Sequence, residues 1–284
     1  MGSRGQVRDS RWRWFAGALA ALCAASPPAQ AEDRTPGSAS ACRFAMVGSG
    51  KVARVIDGRS FVLDDGREVR VAAVEVPPIA GSGETGLADD AGVAARTELA
   101  ALLAGHGVEL RQQGPALDRY GRTLAQVYLP GDGSRSAAHD MLARGYARVA
   151  AQVGNAGCAA ELLARERAAR AAKLGLWGEP YYAILAAGSG TELAAERGRF
   201  TVVEGQVLSV RESGGTIYMN FGRRWSEALT VTISKRHERI FSGAGVTPKK
   251  LENRRVRVRG WIDERNGPRI EATRPEQIEI AELN

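Results

Sequence analysis

The sequence predicts a mainly β fold with helices, of the α+β class. The expected architecture is a five-stranded barrel with three helices, followed by a second small barrel. Three observations carry this. Short runs of alternating apolar and polar residues cluster in two sets, within residues 51–129 and 201–280. Helix-length stretches fall inside and just after the first set. Residues 179–198, a connector containing Tyr, Ala and Gly, separate the two sets.

The chain of 284 residues carries a formal net charge of +7. Residues 1–31 read as a secretory leader: Arg4, Arg8, Arg11 and Arg13, then an apolar run from Trp14 to Ala25, then Ala29-Gln30-Ala31 as a cleavage site. That apolar run is too short to span a membrane. Its removal would leave about +4, a moderate excess that suits a polyanionic partner without requiring one. The expected location is periplasmic or secreted. Two cysteines remain after cleavage, Cys42 and Cys158. In an oxidising compartment an even pair favours a disulfide, and no CxxC or Cys/His spacing points to a metal.

Residues 32–47 are expected as a flexible lead-in. Strands are expected over 51–56, 60–64 and 67–74, with Asp65-Gly66 as a hairpin turn. Residues 77–92 read as a long loop, and Val93, Leu99, Leu102 and Leu103 mark a helix ended by Gly105 and Gly107. Two more strands follow, 108–112 and 124–129, around a loop at 118–122. Helices are expected over 137–145 and 158–174. Beyond the connector, strands over 201–210, 216–221, 229–233, 255–262 and 269–280, with a short helix at 235–241, suit an OB-type barrel. No residue-level repeat relates the two halves.

Polar residues gather at the strand ends of the first set: Asp57, Arg59, Arg70, Glu75, and then Asp118-Arg119-Tyr120-Gly121-Arg122. In order and spacing these segments resemble the staphylococcal-nuclease-like (thermonuclease) family, whose signature is a DGDT-type turn, an R-x-x-x-x-D-x-P-E segment and a D-x-Y-G-R segment. The resemblance covers about residues 48–178 and implies an OB-like barrel with three helices. It also implies a Ca²⁺-dependent phosphodiesterase site. Arg70 and Arg122 fall on the two positions that neutralise the transition-state phosphate, Tyr120 falls on a phosphate-side tyrosine, and Asp57 lies beside the metal. Glu75 falls on the second metal-binding aspartate, which leaves Asp57 and Glu75 as the remaining metal candidates.

The departures are as telling. Arg59 replaces the principal metal-binding Asp, and a cation there opposes a dication by several kcal/mol at close range. Val76 replaces a Thr, and Pro78 replaces the general-base Glu and can move no proton, a loss of about 10²–10⁴ in rate. Ala151 falls near an expected stacking tyrosine. Two readings of Arg70 and Arg122 stand: an anion site, or structural ion pairs with Asp57, Glu75 or Asp118. Glu84 is a candidate substitute base in the following loop. His106, His139 and His237 are isolated and take no role.

Residues 199–284 carry sixteen Lys and Arg against eleven Asp and Glu. Arg255, Arg257 and Arg259 alternate with Val256 and Val258, which places three arginines on one strand face. Arg223, Arg224 and Trp225 share a loop where the indole could stack on a base. These six residues are nucleic-acid-binding candidates, and a solvated strand face is the other reading of the arginine strand. The expected function is binding of nucleic acid or another polyanion, with hydrolysis weak or lost and Ca²⁺ held weakly or not at all. An active Ca²⁺-dependent nuclease with a rearranged site, and a non-catalytic partner-binding protein, are the alternatives.

Overall fold

A computed structural model describes residues 40–79, 87–112, 117–131, 133 and 135–281. The expected leader and Glu84 lie outside the described residues. The described chain from residue 40 onward belongs to one compact unit. No described helix is long and apolar enough to cross a membrane.

The N-terminal half is a closed barrel of β1 (Ala45–Asp57), β2 (Ser60–Leu63), β3 (Glu68–Val71), β5 (Gly107–Gln112) and β6 (Thr123–Tyr128), in the order β1-β2-β3-β6-β5. Strand β1 is long enough to pair twice, with β5 through its first half and with β2 through its second. Val69 to Val71 runs parallel to Thr123 to Ala125, the one parallel ladder of this barrel. The hairpin turn expected at Asp65-Gly66 is present. Gly66 has φ of +87°, and Asp65 accepts from the Arg67 backbone N–H. A two-residue strand β4 (Val74–Glu75) pairs with β7 (Arg148–Val149) outside the barrel.

Three helices cover this half. Helix α1 (Leu87–Leu103) starts five residues earlier than the sequence pattern suggests, because no large apolar residue falls between Leu87 and Val93 to extend the periodicity. Two glycines let it approach the barrel. A Cβ on Gly58 would meet that of Ala95 at 2.7 Å, and one on Gly92 would meet the Pro78 carbonyl at 2.0 Å. Helix α2 (Ala137–Ala143) is capped by Ser136 and His139, and α3 (Ala156–Ala171) by Asn155, which accepts from the Cys158 backbone N–H at 2.9 Å. Phe61, Leu63, Leu99, Leu110, Met141 and Leu162 pack in the core beneath them.

The lead-in needs a correction. Residues 45–47 already belong to β1, and Cys42 is buried and joined to Cys158 in a disulfide with Cα atoms 4.4 Å apart. Ser40 and the Ala41 N–H both donate to Glu161 of α3. A link spanning 116 residues contributes ~4–5 kcal/mol in the chain-entropy picture. The segment from residue 40 is therefore anchored.

The connector needs one too. Residues 179–198 hold β8 (Leu185–Ala186), which pairs in parallel with the next strand, and α4 (Gly190–Ala195). Ala187 and Leu193 are buried in the second core. A connector of small residues reads as a linker from composition, yet small residues also let it lie flat against a sheet.

The C-terminal strands are β9 (Phe200–Gln206), β10 (Ser209–Ser213), β11 (Thr216–Asn220), β12 (Thr230–Ser234), β13 (Arg255–Trp261), β14 (Asp263–Glu264), β15 (Pro268–Glu271) and β16 (Ile278–Ile280). They form a five-stranded sheet, β10-β11-β12-β15-β14, and a four-stranded sheet, β16-β13-β9-β8. Helix α5 (Glu238–Gly243) lies in sequence between β12 and β13. The final expected strand, 269–280, is two strands with a short helical turn at Pro275–Gln277 between them. Strands β12 and β15 pair in parallel, as β3 and β6 do in the first half.

Candidate functional site

Asp57 ends β1, and Arg59 follows Gly58 in the turn into β2. The Asp57 carboxylate accepts from the Arg59 backbone N–H at 2.8 Å, so it holds the turn. The Arg59 side chain crosses to β4. Its Nη1 lies 2.5 Å from Glu75 Oε2 and donates to the Val74 carbonyl at 2.9 Å. Ala73, with φ of +67°, makes the bend that separates β4 from β3. One guanidinium thus takes a carboxylate and a carbonyl oxygen together.

Arg70 projects from β3 beside this pair, partly exposed, with no hydrogen-bond or ion-pair partner among the described residues. Arg122 is different. Asp118 holds it at 2.7 Å, and Glu68 lies 3.7 Å away. Partial burial opposes the Arg122 charge, but Asp118 outweighs this and holds its pKa above the ordinary value. Burial likewise raises the Asp118 pKa, and the hydrogen bond from Arg122 outweighs it and brings it down. The exposed Tyr120 ring lies under both Arg119 and Arg122, 4.7 and 5.2 Å from their guanidinium carbons. Of the two arginine readings, Arg122 fits the ion-pair one and Arg70 the anion one.

These residues line an open cleft with two adjoining lobes of about 590 and 640 Å³. Arg59, Arg70, Glu75 and Trp261 border both lobes. Among the described residues, the first lobe brings Arg59, Arg70, Arg96, Arg148 and Arg199 against two acids, Asp57 and Glu75. Pro78 also lines it, at the position where the resemblance implies a base. The second lobe holds Tyr120, Arg122 and Ala151.

Sequence reasoning missed Arg148, Tyr182, Phe200 and Trp261. Arg148 is 7% exposed, and its guanidinium lies 5.4 Å from the ring centres of both Tyr182 and Phe200. Trp261 ends β13 with half its surface exposed. The available signal was Trp261 itself, an indole following the arginine strand, but nothing local ties it to residues two hundred positions earlier.

Of the arginine strand, Arg259 is corrected. Arg255 and Arg257 share Glu204 across the β9–β13 ladder, at 2.6 and 2.5 Å. Arg259 is 1% exposed and cannot meet a nucleic acid. It lies 2.7 Å from Glu166 of α3 and also pairs with Glu279. Alternation correctly put the three on one face, but that face is covered by α3 at one end. Arg223, Arg224 and Trp225 are exposed, with Arg224 held by Glu227 at 2.8 Å.

His139 has a structural place. Its Nδ1 accepts from the Ser136 N–H at 2.9 Å, and its Nε2 lies 3.0 Å from Glu161, off the line of a good hydrogen bond. Burial keeps its pKa below the ordinary histidine value despite Glu161. Cys42, His139 and Glu161 cluster within 4.8 Å of one another, but the Cys42 sulfur is consumed by the disulfide.

Residues 68–179 match the family model of the staphylococcal nuclease homologue. The matched stretch contains Arg70, Glu75, Tyr120 and Arg122, and begins after Asp57 and Arg59. No curated protein matches the chain.

Proposed function

We propose that this chain is an exported protein that binds nucleic acid or another polyanion in the cleft, with phosphodiester hydrolysis weak or lost. The observation that carries this is the seat of Arg59 on Glu75 and the Val74 carbonyl, beside an Arg70 with no hydrogen-bond or ion-pair partner among the described residues. The family match over residues 68–179 supports a nucleic-acid ligand. The expected leader and the Cys42–Cys158 disulfide support export. The pairing order of the C-terminal strands supports an OB-type barrel over residues 199–284, with Arg223 and Trp225 as added contacts.

The donor set argues against calcium. Ca²⁺ takes about six to eight oxygen ligands. Here one Asp57 oxygen accepts the Arg59 backbone N–H, the Val74 carbonyl accepts from its guanidinium, and one Glu75 oxygen is ion-paired with the same guanidinium at 2.5 Å. A divalent ion would have to displace a resident guanidinium, so the residues present do not fit it. Arg70 and Arg59 can hold a phosphate by charge-assisted hydrogen bonds. Neither can deprotonate a water, and Pro78 offers no substitute.

The test is binding of a labelled single-stranded oligonucleotide across a salt series. Affinity should fall steeply with salt, and Arg70→Gln should both weaken binding and reduce the log–log slope by about 0.7. Absence of binding at low salt would move the function to a partner other than nucleic acid.

A further inference from the structure

We propose that the first lobe of the cleft is a nucleotide pocket shared by the two halves, in which Arg148 receives a phosphate and Trp261 stacks on the attached base. This rests on the nucleic-acid reading and names the unit recognised.

Arg148 is the key. It is nine-tenths buried, its Nε has no hydrogen-bond partner, and no carboxylate lies within ion-pair distance among the described residues. Its neighbours cannot serve. Glu75, opposite it in the β4–β7 ladder, is held by Arg59, and Glu166 is held by Arg259 and Arg170. The fold has therefore sunk a cation at the edge of a cleft while committing each nearby acid elsewhere. Burial pushes the Arg148 pKa down to about 10 even with Glu166 acting on it at a distance. A buried arginine that lines a cavity with its Nε unpartnered is satisfied by an oxyanion, and a phosphate offers the matching geometry.

Trp261 supplies the second half of the ligand. Its ring meets Phe200 edge-on at 6.0 Å and 70°, and the indole is 51% exposed. It borders the lobe that Arg148 lines, and also the lobe containing Ala151. An aromatic platform from the C-terminal half thus stands over a cationic floor from the N-terminal half. A phosphate alone would leave the indole unused, and an apolar ligand would leave Arg148 unsatisfied. A base with its phosphate uses both.

The experiment titrates the full chain with adenosine 5′-monophosphate, adenosine and inorganic phosphate, with the single-stranded oligonucleotide run in parallel. The monophosphate should bind more tightly than either fragment. Trp261→Ala should weaken it about tenfold, within the range for one base on one ring, and leave inorganic phosphate unchanged. Arg148→Gln should weaken both monophosphate and phosphate at least tenfold. Trp261 is exposed enough that its removal leaves the core intact, which keeps the test decisive if Arg148→Gln unfolds. Monophosphate affinity unchanged in Trp261→Ala, or no better than that of inorganic phosphate, overturns the pocket. If the oligonucleotide still binds in that case, only the pocket has failed. Monophosphate binding without oligonucleotide binding would instead keep the pocket and sink the broader reading.

Discussion

Among the described residues the chain buries two arginines, Arg148 and Arg259, and keeps them by opposite means. Arg259 is 1% exposed and surrounded. Glu166 accepts from both of its terminal nitrogens, at 2.7 and 3.0 Å, Glu279 accepts from one, and the Val149 carbonyl completes the set at 3.3 Å. Burial opposes its charge, but Glu166 and Glu279 more than offset that and hold its pKa above the ordinary value. Arg148, the neighbour of Val149 in β7, has two aromatic rings and, among the described residues, no acid within ion-pair distance. The contrast separates structure from function. A buried arginine with two carboxylates fastens α3 to β13 and β16, whereas one without any is open to a ligand.

The largest way to break this comparison is Glu166→Gln. It leaves Arg259 with half its compensation, weakens a contact to the Val149 N–H at 2.6 Å, and should cost about 3–5 kcal/mol. Urea unfolding measures it. A loss below ~1 kcal/mol would mean the network is solvated in solution.

The pH dependence comes next. Burial raises the Glu279 pKa, but Arg259 and Arg170 outweigh it and bring it below its ordinary 4.5. A depressed carboxylate contributes stability that is fully present above about 4.5 and lost as pH falls through the folded pKa. Thermal unfolding between neutral pH and ~3 should therefore show a loss below about 4.5. The Glu279→Gln variant should show a shallower one. Identical profiles would contradict the assignment.

Arg148→Met should sharpen the contrast by its sign. Removing an uncompensated buried charge while keeping most of the volume should leave stability unchanged or raise it by ~1 kcal/mol. The same change at Arg259 should lower it. Two similar losses in calorimetry would show that Arg148 is structural after all. The smallest effect belongs to the exposed Arg255. Arg255→Ser should change stability by under about 0.5 kcal/mol, and it should leave the oligonucleotide salt slope as it is.

Much of the barrel was legible because its signals are local. The Asp65-Gly66 turn, the alternation of Phe61, Leu63, Val69 and Val71, and the Asp118–Arg122 loop each act over a few residues. The even cysteine pair gave the disulfide. What could not be read was contact between the halves. Strand period told which face Arg255, Arg257 and Arg259 share, but not that α3 covers Arg259. Composition made residues 179–198 a linker, although Tyr182 and Leu193 are buried. The candidate site followed the same division. Arg59 at the position where the resemblance implies a metal ligand was visible in sequence, while its grip on the Val74 carbonyl, and the approach of Trp261, needed the fold.

We propose that the Arg59 guanidinium occupies the place where the family resemblance implies a metal. The most direct test is cleavage of single-stranded DNA by the unmodified protein as Ca²⁺ is added. The expected result is little or no cleavage at any calcium concentration, with some activity gained by the triple change Arg59→Asp, Val76→Thr and Pro78→Glu. Robust calcium-dependent cleavage by the unmodified protein, abolished by Glu75→Gln, would contradict it.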